Sequence, residues 1–404
     1  MPAAYLRTAR WLALAFALLI VWGSLYPVDF SVPTRAQLVE RVARAHLFVA
    51  SRTDLIANLL LYVPLGAVAV LAVTGPTPAR RIARAAGLGS LLSLALELLQ
   101  LMTPHRVTNV FDWALNTVGT AAGAGGVTAY LMVGNRWKFA GLMNERPALI
   151  PLGLLALWFA VQFLPYLPAH AAAPSSRPWH GWTHASPPRW SMAFATWWVV
   201  AECVRGIVRP PWVLAALAAL IGLDLLAHPA LQAVPDRPEE LAGSCIAWIG
   251  AALTSQWPVR GRAVLAFGAC TIALVLQGLW PFVATERINE FHWIPFSGSL
   301  LTSRDYRPLF DDLFLRGALL WSACLVLKRL GWAFAWSLGV AVGIGLSQLW
   351  IPQRRPEITD LLLVIALTVA FAIARRFQVY AFGAGAGVAT DPLVAAAPAD
   401  GAVH

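Results

Sequence analysis

The sequence is poor in charge. Charged residues make up only 12% of the 404 residues, against about 25% in ordinary soluble domains. Hydrophobic residues make up 59%, and the mean hydropathy is +0.65. A soluble protein of this composition has too few polar groups to cover its surface, and a disordered chain has far fewer apolar ones. The composition therefore excludes a soluble globular enzyme, a disordered chain and a fibrous repeat, and it predicts a polytopic membrane protein.

Cysteine is also scarce, with four residues in the chain. All four lie inside apolar runs and none has CxxC spacing, so we interpret them as small buried hydrophobes (Cys203, Cys245, Cys270 and Cys324). Gly-rich phosphate loops, nucleophile elbows and HExxH motifs are missing from the sequence as well. We therefore expect no metal and no cofactor, and no catalytic residue can be named from a motif.

The charge that is present is basic, with 30 Lys and Arg against 20 Asp and Glu, or +10 in net charge. The arginines separate apolar runs, which is typical of membrane orientation and not of nucleic-acid binding. Their distribution predicts a protein of the cytoplasmic (inner) membrane with both termini in the cytoplasm. Arg7 and Arg10 precede the first apolar run, as in a signal peptide, but no clear small-x-small cleavage site follows. We favour an uncleaved helix over that alternative.

Long apolar runs predict an all-α fold, a transmembrane helical bundle of about twelve spans. The predicted spans are 11–27, 55–74, 82–101, 110–133, 148–167, 190–208, 212–228, 241–257, 263–283, 309–327, 331–351 and 357–374. The seventh and eighth are short, so the exact number of spans near 212–257 stays open.

An internal repeat organises these spans. The segment after the third span and the segment before the last share one spacing of Gln, Pro, Arg and Asp: Gln100-x3-Pro104-x-Arg106-x5-Asp112 and Gln348-x3-Pro352-x-Arg354-x5-Asp360. A Leu-aromatic-Pro sequence also ends the first span of each of these units: Leu25-Tyr26-Pro27 ends the first span, and Leu279-Trp280-Pro281 ends the ninth. We predict three four-helix units, at 1–138, 139–258 and 259–380, followed by a disordered Gly/Ala/Pro-rich tail at 381–404.

Polar residues in the first unit lie near the ends of their spans and share helix faces: Asp54 and Asn58, Glu97 and Gln100, and Asp112 and Asn116, with Arg106 in a connecting loop. One interpretation is a polar pocket open to the outer leaflet, in which Arg106 holds a phosphate or carboxylate. The other is a set of hydrogen bonds between helices, with Gly119 and Gly123 allowing close approach. The sequence leaves both open.

The first unit resembles the VanZ-like family of teicoplanin-resistance-associated membrane proteins. The resemblance rests on DLIANLLLYVPLG (Asp54 to Gly66) and on Glu97-x2-Gln100 followed by Arg106, Asp112, Asn116 and Gly119. The third unit looks like a degraded copy, in which Gly345 stands for the Glu, Arg316 for the first Asn, and Val364 and Leu367 for the later Asn and Gly.

The resemblance implies an integral membrane protein of the bacterial cell envelope that affects glycopeptide susceptibility. We expect a non-enzymatic protein whose pocket takes a lipid or glycan headgroup. Its expected partners are membrane lipids and an envelope glycan or lipid-linked precursor, while its oligomeric state is not predicted. The alternative is a membrane-embedded enzyme that acts on an outer-leaflet lipid or polyprenyl-linked substrate through Glu97, Arg106 and Asp112.

Overall fold

The computed structural model describes residues 3–25, 30–43, 52–103, 109–133, 148–163, 186–231, 238–286, 288–293, 307–352 and 354–382. Thirteen α-helices are present in these ranges. They are α1 (Ala3–Leu25), α2 (Arg35–Ala43), α3 (Arg52–Ala72), α4 (Pro78–Gln100), α5 (Val110–Val133), α6 (Leu149–Phe163), α7 (Pro187–Ile207), α8 (Val213–Leu231), α9 (Pro238–Leu253), α10 (Val259–Leu279), α11 (Arg307–Leu327), α12 (Leu330–Gln348) and α13 (Thr359–Phe382).

The prediction of an all-α fold is confirmed, and each predicted span coincides with a helix. Within the described ranges, three helices are long and apolar enough to cross a membrane: Pro78–Gln100, Val259–Leu279 and Leu330–Gln348. Shorter apolar helical stretches occur at Leu61–Ala72, Leu149–Gln162 and Pro210–Leu225. The count of twelve spans stays a prediction, and the tail beyond Phe382 lies outside the described residues.

Helix α2 was not predicted, because it is polar and short. Its start carries a capping box: the Thr34 backbone N–H donates to Gln37 Oε1 at 2.9 Å, and the Gln37 N–H donates to Thr34 Oγ1 at 3.3 Å. Arg41 then donates to the Leu101 carbonyl at 2.6 Å. The helix therefore covers the carbonyl end of α4, where backbone acceptors have no intrahelical donor.

The chain forms two compact units, Met1–Trp137 and Lys138–His404. In the N-terminal unit, α5 packs against both α3 and α4, while α1 packs against the other side of α3 and α4. The core lies between these helices, with Ile20, Tyr62 and Leu96 in one cluster and Val70 and Ala124 in another.

Glycines make the α3–α5 contact close. A Cβ on Gly119 would overlap the backbone carbonyl of Leu59, and one on Gly123 would overlap that of Val63. On the facing helix, a Cβ on Gly66 would overlap the carbonyl of Thr120. The close approach expected from Gly119 and Gly123 is therefore present, and it allows backbone-to-backbone packing of the kind small residues provide between membrane helices.

The C-terminal unit contains α6 to α13 around a larger core. Trp158 and Trp197 lie at its centre in an edge-to-face contact with ring centroids 5.3 Å apart. Three of the four cysteines are buried as predicted, but Cys245 is exposed. The prediction for Cys245 was wrong because an apolar helix in a membrane protein turns part of its surface outward, so an apolar run does not imply burial.

Twelve of the helices form three sets of four, and the helices at the same place in each set pack alike. The first set is α1, α3, α4 and α5, the second is α6 to α9, and the third is α10 to α13. In every set the first helix packs on the second and third, the second packs on the third and fourth, and the third packs on the fourth. The sets match the predicted four-helix units in helix membership, although the division into repeats stays a prediction.

Two long-range contacts recur at the positions that the repeat makes equivalent. Gln100 Nε2 donates to the Ser24 carbonyl at 3.0 Å, and Gln348 Nε2 donates to the Gly278 carbonyl at 3.2 Å. Each carbonyl lies three residues before the proline that follows the first helix of its set. Both glutamines thus tie the end of the third helix to the end of the first.

In the second recurring contact, the segment that follows the first helix of the set bonds to the end of the third helix. The Ser31 backbone N–H donates to the Met102 carbonyl at 2.8 Å, and the Thr285 N–H donates to the Trp350 carbonyl at the same distance. These bonds satisfy carbonyls just beyond the third helix of each set, where helix geometry leaves acceptors open.

Arginines bond to the C-terminal end of α3, at the opposite end of the first helix set from the Gln100 and Ser31 contacts. Arg81 donates to the Val70 carbonyl at 3.0 Å, Arg10 donates to that of Ala72 at 3.5 Å, and Arg84 donates to that of Thr74. A cation at a helix C-terminus satisfies open carbonyls and opposes the negative end of the helix dipole. The basic residues of these connections therefore have a local structural role, besides any role in membrane orientation.

Candidate functional site

Buried polar groups gather where α4 ends and α5 begins. Glu97, on the last full turn of α4, is only 8% exposed. Its Oε2 accepts the backbone N–H of Asn109 at 2.9 Å. Asn109 precedes α5 as its N-cap, and its Oδ1 accepts the Phe111 N–H at 3.0 Å. The carboxyl of Glu97 is thus held against the start of α5 by the backbone.

Asn116 and Ser93 join the two helices two turns away from this cap. Asn116 Nδ2 donates to Ser93 Oγ at 2.8 Å, and both side chains are buried. The Asn116 Oδ1 atom is also buried, and it has no hydrogen-bond partner among the residues that the structure describes. A buried amide oxygen without a donor is costly, so this atom marks an acceptor open to an incoming donor.

Three further side chains extend the group. Trp113 Nε1 donates to Ser90 Oγ at 2.9 Å, and Tyr62 of α3, only 2% exposed, lies within electrostatic range of Ser93 and Glu97. We define the α4–α5 polar cluster as Tyr62, Ser90, Ser93, Glu97, Trp113 and Asn116.

Sequence reasoning missed four members of this cluster: Tyr62, Ser90, Ser93 and Trp113. A signal for three of them was present. Ser90 and Ser93 lie seven and four residues before Glu97, which is the spacing of one helix face. Tyr62 likewise follows Asn58 by four residues. Extending the face argument along each helix, beyond the charged and amide residues, would have included them.

The remaining predicted site residues have different positions. Asp112 lies in the first turn of α5 and within electrostatic range of Glu97. Asn58 is half-buried on α3. Asp54 begins α3, but its side chain is outside what the structure describes, as is the whole of Arg106. The structure therefore brings Glu97, Asp112 and Asn116 to one end of the α4–α5 pair.

Gln100 does not belong to this group. Its amide is used by the bond to the Ser24 carbonyl, and its backbone carbonyl accepts from Thr103 Oγ1 at 2.8 Å. Because Gln348 makes the equivalent bond, we assign Gln100 to the scaffold of the helix set.

The third set has the same helix pairs without the polar cluster. At the positions equivalent to the six cluster residues, it carries only apolar residues, namely Leu320, Leu338, Ala341, Gly345, Leu361 and Val364. Leu320, Ala341 and Val364 are each at most 2% exposed. Apolar packing is therefore sufficient to hold such a set together.

The third set has an ion pair at the helix ends where the first set has Asn58 and Asp112. Arg316 NH2 lies 2.6 Å from Asp360 Oδ1, and the Arg316 side chain is 6% exposed. Arg316 is the residue equivalent to Asn58, and Asp360 is equivalent to Asp112. The acid at the start of α13 is thus neutralised within the protein.

Comparison with known proteins identifies the first set of helices. Residues 12–132 match the family model described as VanZ/LLP1. The resemblance noted in the sequence is therefore confirmed over α1 to α5. No curated protein and no solved structure matches the chain. Together with the apolar helices, the VanZ/LLP1 match makes the chain a membrane protein.

Proposed function

We propose that this VanZ-like chain is a non-enzymatic integral protein of the bacterial cell envelope whose α4–α5 polar cluster receives a lipid or glycan headgroup. The observation that carries the proposal is the comparison of the first and third helix sets. They share their helix pairs and the Gln100-type bond, yet only the first has the buried polar cluster. Since the third set packs without it, the cluster is better explained by a ligand than by packing.

The chemistry of the cluster indicates what part of a headgroup it takes. Its groups are acceptors: the Asn116 amide oxygen, which has no partner among the described residues, and the carboxylates of Glu97 and Asp112, which already have partners within the protein. Acceptors bind hydroxyl, amide N–H and ammonium donors. A sugar ring or an amine-bearing headgroup supplies such donors, while Arg106, from the loop before α5, stays our candidate for an accompanying phosphate or carboxylate.

We further propose that the site opens toward the outer leaflet of the cytoplasmic membrane, with both termini in the cytoplasm. The arginine-capped helix ends at Val70 to Thr74 lie at the opposite end of α3 from Asn58, and short loops rich in Arg favour the cytoplasmic side. By the family resemblance, headgroup binding there would alter susceptibility to glycopeptides.

Lipid retention tests the proposal. The full chain, solubilised in mild detergent, is incubated with a radiolabelled lipid extract of bacterial envelopes, and retained lipids are separated by thin-layer chromatography. We expect saturable retention of a subset of bands, lost in Asn116→Val and in Glu97→Gln. Ser337→Ala is the matched control, because it removes a buried hydroxyl from α12 in the third set. Equal retention by all variants would refute the pocket.

The same assay distinguishes the enzyme alternative. Appearance of a new labelled band that requires active protein and disappears with Asp112→Asn would replace headgroup binding by turnover. Glu97 and Asp112, which lie within electrostatic range of each other, would then be the candidates for proton transfer.

A further inference from the structure

An apolar groove runs along the contact between α7 and α10. Both helices belong to the C-terminal unit, so the groove is formed within that unit alone. It has a volume of about 290 Å³, and its lining includes Ser191, Phe194, Val264, Leu265, Gly268 and Ile272. The side chains of Val264, Leu265 and Ile272 are exposed along it. The groove is therefore a cleft at the side of a helix pair and not a cavity inside the core.

Gly268 leaves the middle of this groove empty. Glycine between membrane helices usually lets two backbones approach, as Gly243 of α9 does: a Cβ there would lie 2.9 Å from the carbonyl carbon of Ala193 on α7. A Cβ on Gly268 would meet no other described residue within 4 Å. Gly268 is therefore not explained by helix packing, and the space above it is open to another molecule.

The groove has about the depth of one membrane leaflet. Helix α10 is long and apolar enough to cross a membrane. From Val264 to Ile272 it rises by about 12 Å, while one leaflet contributes about 15 Å of hydrocarbon, half of the bilayer core. The groove begins one turn inside the start of α10 and ends just past the middle of the helix. These dimensions match an acyl chain that extends from the headgroup level toward the bilayer centre.

A cation lies at the headgroup end of the groove. Arg260 is exposed and precedes Val264 by four residues, so both lie on one face of α10. A long arginine side chain extends along apolar surface and places its guanidinium at the membrane boundary. The planar guanidinium matches the oxygens of a phosphate group. The face that lines the groove therefore ends in a group suited to a phospholipid phosphate.

The surroundings of Arg260 add positive charge. Residues 203–223 and 241–285, which include the last turns of α7 and α9 and all of α10, contain no Asp or Glu. Glu202 of α7 is shared by two cations, with Arg205 at 3.2 Å and Arg262 at 3.0 Å. This end of the helix pair therefore has an excess of positive charge, which favours an anionic lipid over a zwitterionic one.

We propose that the α7–α10 groove binds one acyl chain of an anionic phospholipid whose phosphate is held by Arg260. Lipid chains are as apolar as leucine, so the groove alone gives the chain little advantage over bulk lipid. The phosphate contact supplies the selection, and the groove supplies the position. In the orientation proposed above, this lipid belongs to the cytoplasmic leaflet. The inference is independent of headgroup binding by the α4–α5 polar cluster.

Photo-cross-linking tests the proposal. The full chain is reconstituted in phosphatidylcholine vesicles with a small fraction of phosphatidylglycerol that carries a photoreactive diazirine in its acyl chain. After irradiation, mass spectrometry locates the labelled residues. We expect labelling within 264–272 that exceeds labelling of α12, another helix of membrane length. Replacing part of the phosphatidylcholine by unlabelled phosphatidylglycerol should suppress it.

Two variants separate the chain contact from the phosphate contact. Gly268→Leu fills the groove and should remove most of the labelling within 264–272. Gly339→Leu is the matched control, because Gly339 lies on α12 and a Cβ there also has open space; it should leave that labelling unchanged. Arg260→Gln should lower the preference for the phosphatidylglycerol probe over a phosphatidylcholine probe by about fivefold, the contribution of one basic residue at a membrane surface. Thermal unfolding in detergent checks that each variant is folded.

Two results with the wild type would overturn the proposal. Equal labelling of α10 and α12 would show ordinary lipid contact, and no labelling within 264–272 would show that protein covers the groove. Among the folded variants, unchanged labelling in Gly268→Leu or an unchanged lipid preference in Arg260→Gln would overturn it as well.

Discussion

Variants of the hydrogen bond between Asn116 and Ser93 distinguish two roles for the cluster, a ligand site and a contact between helices. Three variants are compared: Ser93→Ala, Asn116→Val and the double variant. The double variant copies the third helix set, which has Ala341 and Val364 at these positions. If the two residues only join α4 to α5, the double variant should keep both stability and headgroup retention. If they form a site, it should keep stability and lose retention.

The magnitudes follow from burial. Ser93 and Asn116 are 1% and 6% exposed, and the bond is 2.8 Å long. Ser93→Ala leaves the Asn116 amide buried without its acceptor, at a cost of about 1–3 kcal/mol. Asn116→Val costs less, about 0.5–1 kcal/mol, because the Ser93 hydroxyl is able to turn to a carbonyl of its own helix. The double variant removes both groups of this bond and leaves only the buried Tyr62 hydroxyl without Ser93, so its local stability should lie within about 1 kcal/mol of the wild type.

Hydrogen–deuterium exchange of the full chain in detergent measures these differences in the α4 and α5 peptides, since exchange reports the free energy of local opening. A loss of about 1.4 kcal/mol appears as tenfold faster exchange. Lipid retention is measured on the same samples. Full retention by the double variant would show that apolar packing replaces the cluster without loss, and it would refute a role in binding. Additive destabilisation would show that the two residues are not coupled.

Three further predictions follow. Gly123→Ala should destabilise the N-terminal unit by about 1–3 kcal/mol, because its Cβ meets the Val63 carbonyl, while Gly126→Ala, which has open space, should be neutral or stabilising; thermal unfolding in detergent compares the two. Gln100→Leu and Gln348→Leu should each lower stability by about 1 kcal/mol, and only a loss of retention with unchanged stability in Gln100→Leu would return that residue to the site. Reporter fusions should be cytoplasmic at Met143, Arg209 and Gly261, and external at His170, Pro235 and Ser303; the reverse pattern would refute the proposed orientation.

Helix positions were predictable from the sequence because apolar runs of membrane length leave the backbone no alternative to the helix. Helix α2 was missed, since its Thr34-x-x-Gln37 capping box is a short polar signal beside long apolar ones. The start of α5 was not predictable in detail either, because Asn109, which makes the capping bond, lies outside the apolar run, and Asp112 lies within the first turn.

Site membership was only partly predictable, because it depends on contacts between distant residues. Gln100 was placed with Glu97 by their shared face, yet its partner is a backbone carbonyl 76 positions away. Ser93 was overlooked because a serine in an apolar run is a common residue. Only its contact with Asn116, 23 positions along the chain, distinguishes it. Helix faces can be read from spacing, but the choice of partner across helices depends on packing.

The exchange of Asn58 for Arg316 yields the strongest prediction about charge. Arg316 neutralises Asp360 in the third set and is almost fully buried, so that set has no room at this point for a cationic or hydroxylated ligand. Asn58→Arg would place a guanidinium at the equivalent point of the first set, near Asp112. If donors of a headgroup bind there, this variant should abolish lipid retention while the protein remains folded.

Arg316→Asn should leave retention intact but destabilise the C-terminal unit by about 3–5 kcal/mol, because it leaves a partly buried carboxylate without its cation. Retention by Asn58→Arg equal to that of the wild type would show that the ligand does not use the acids of the first set.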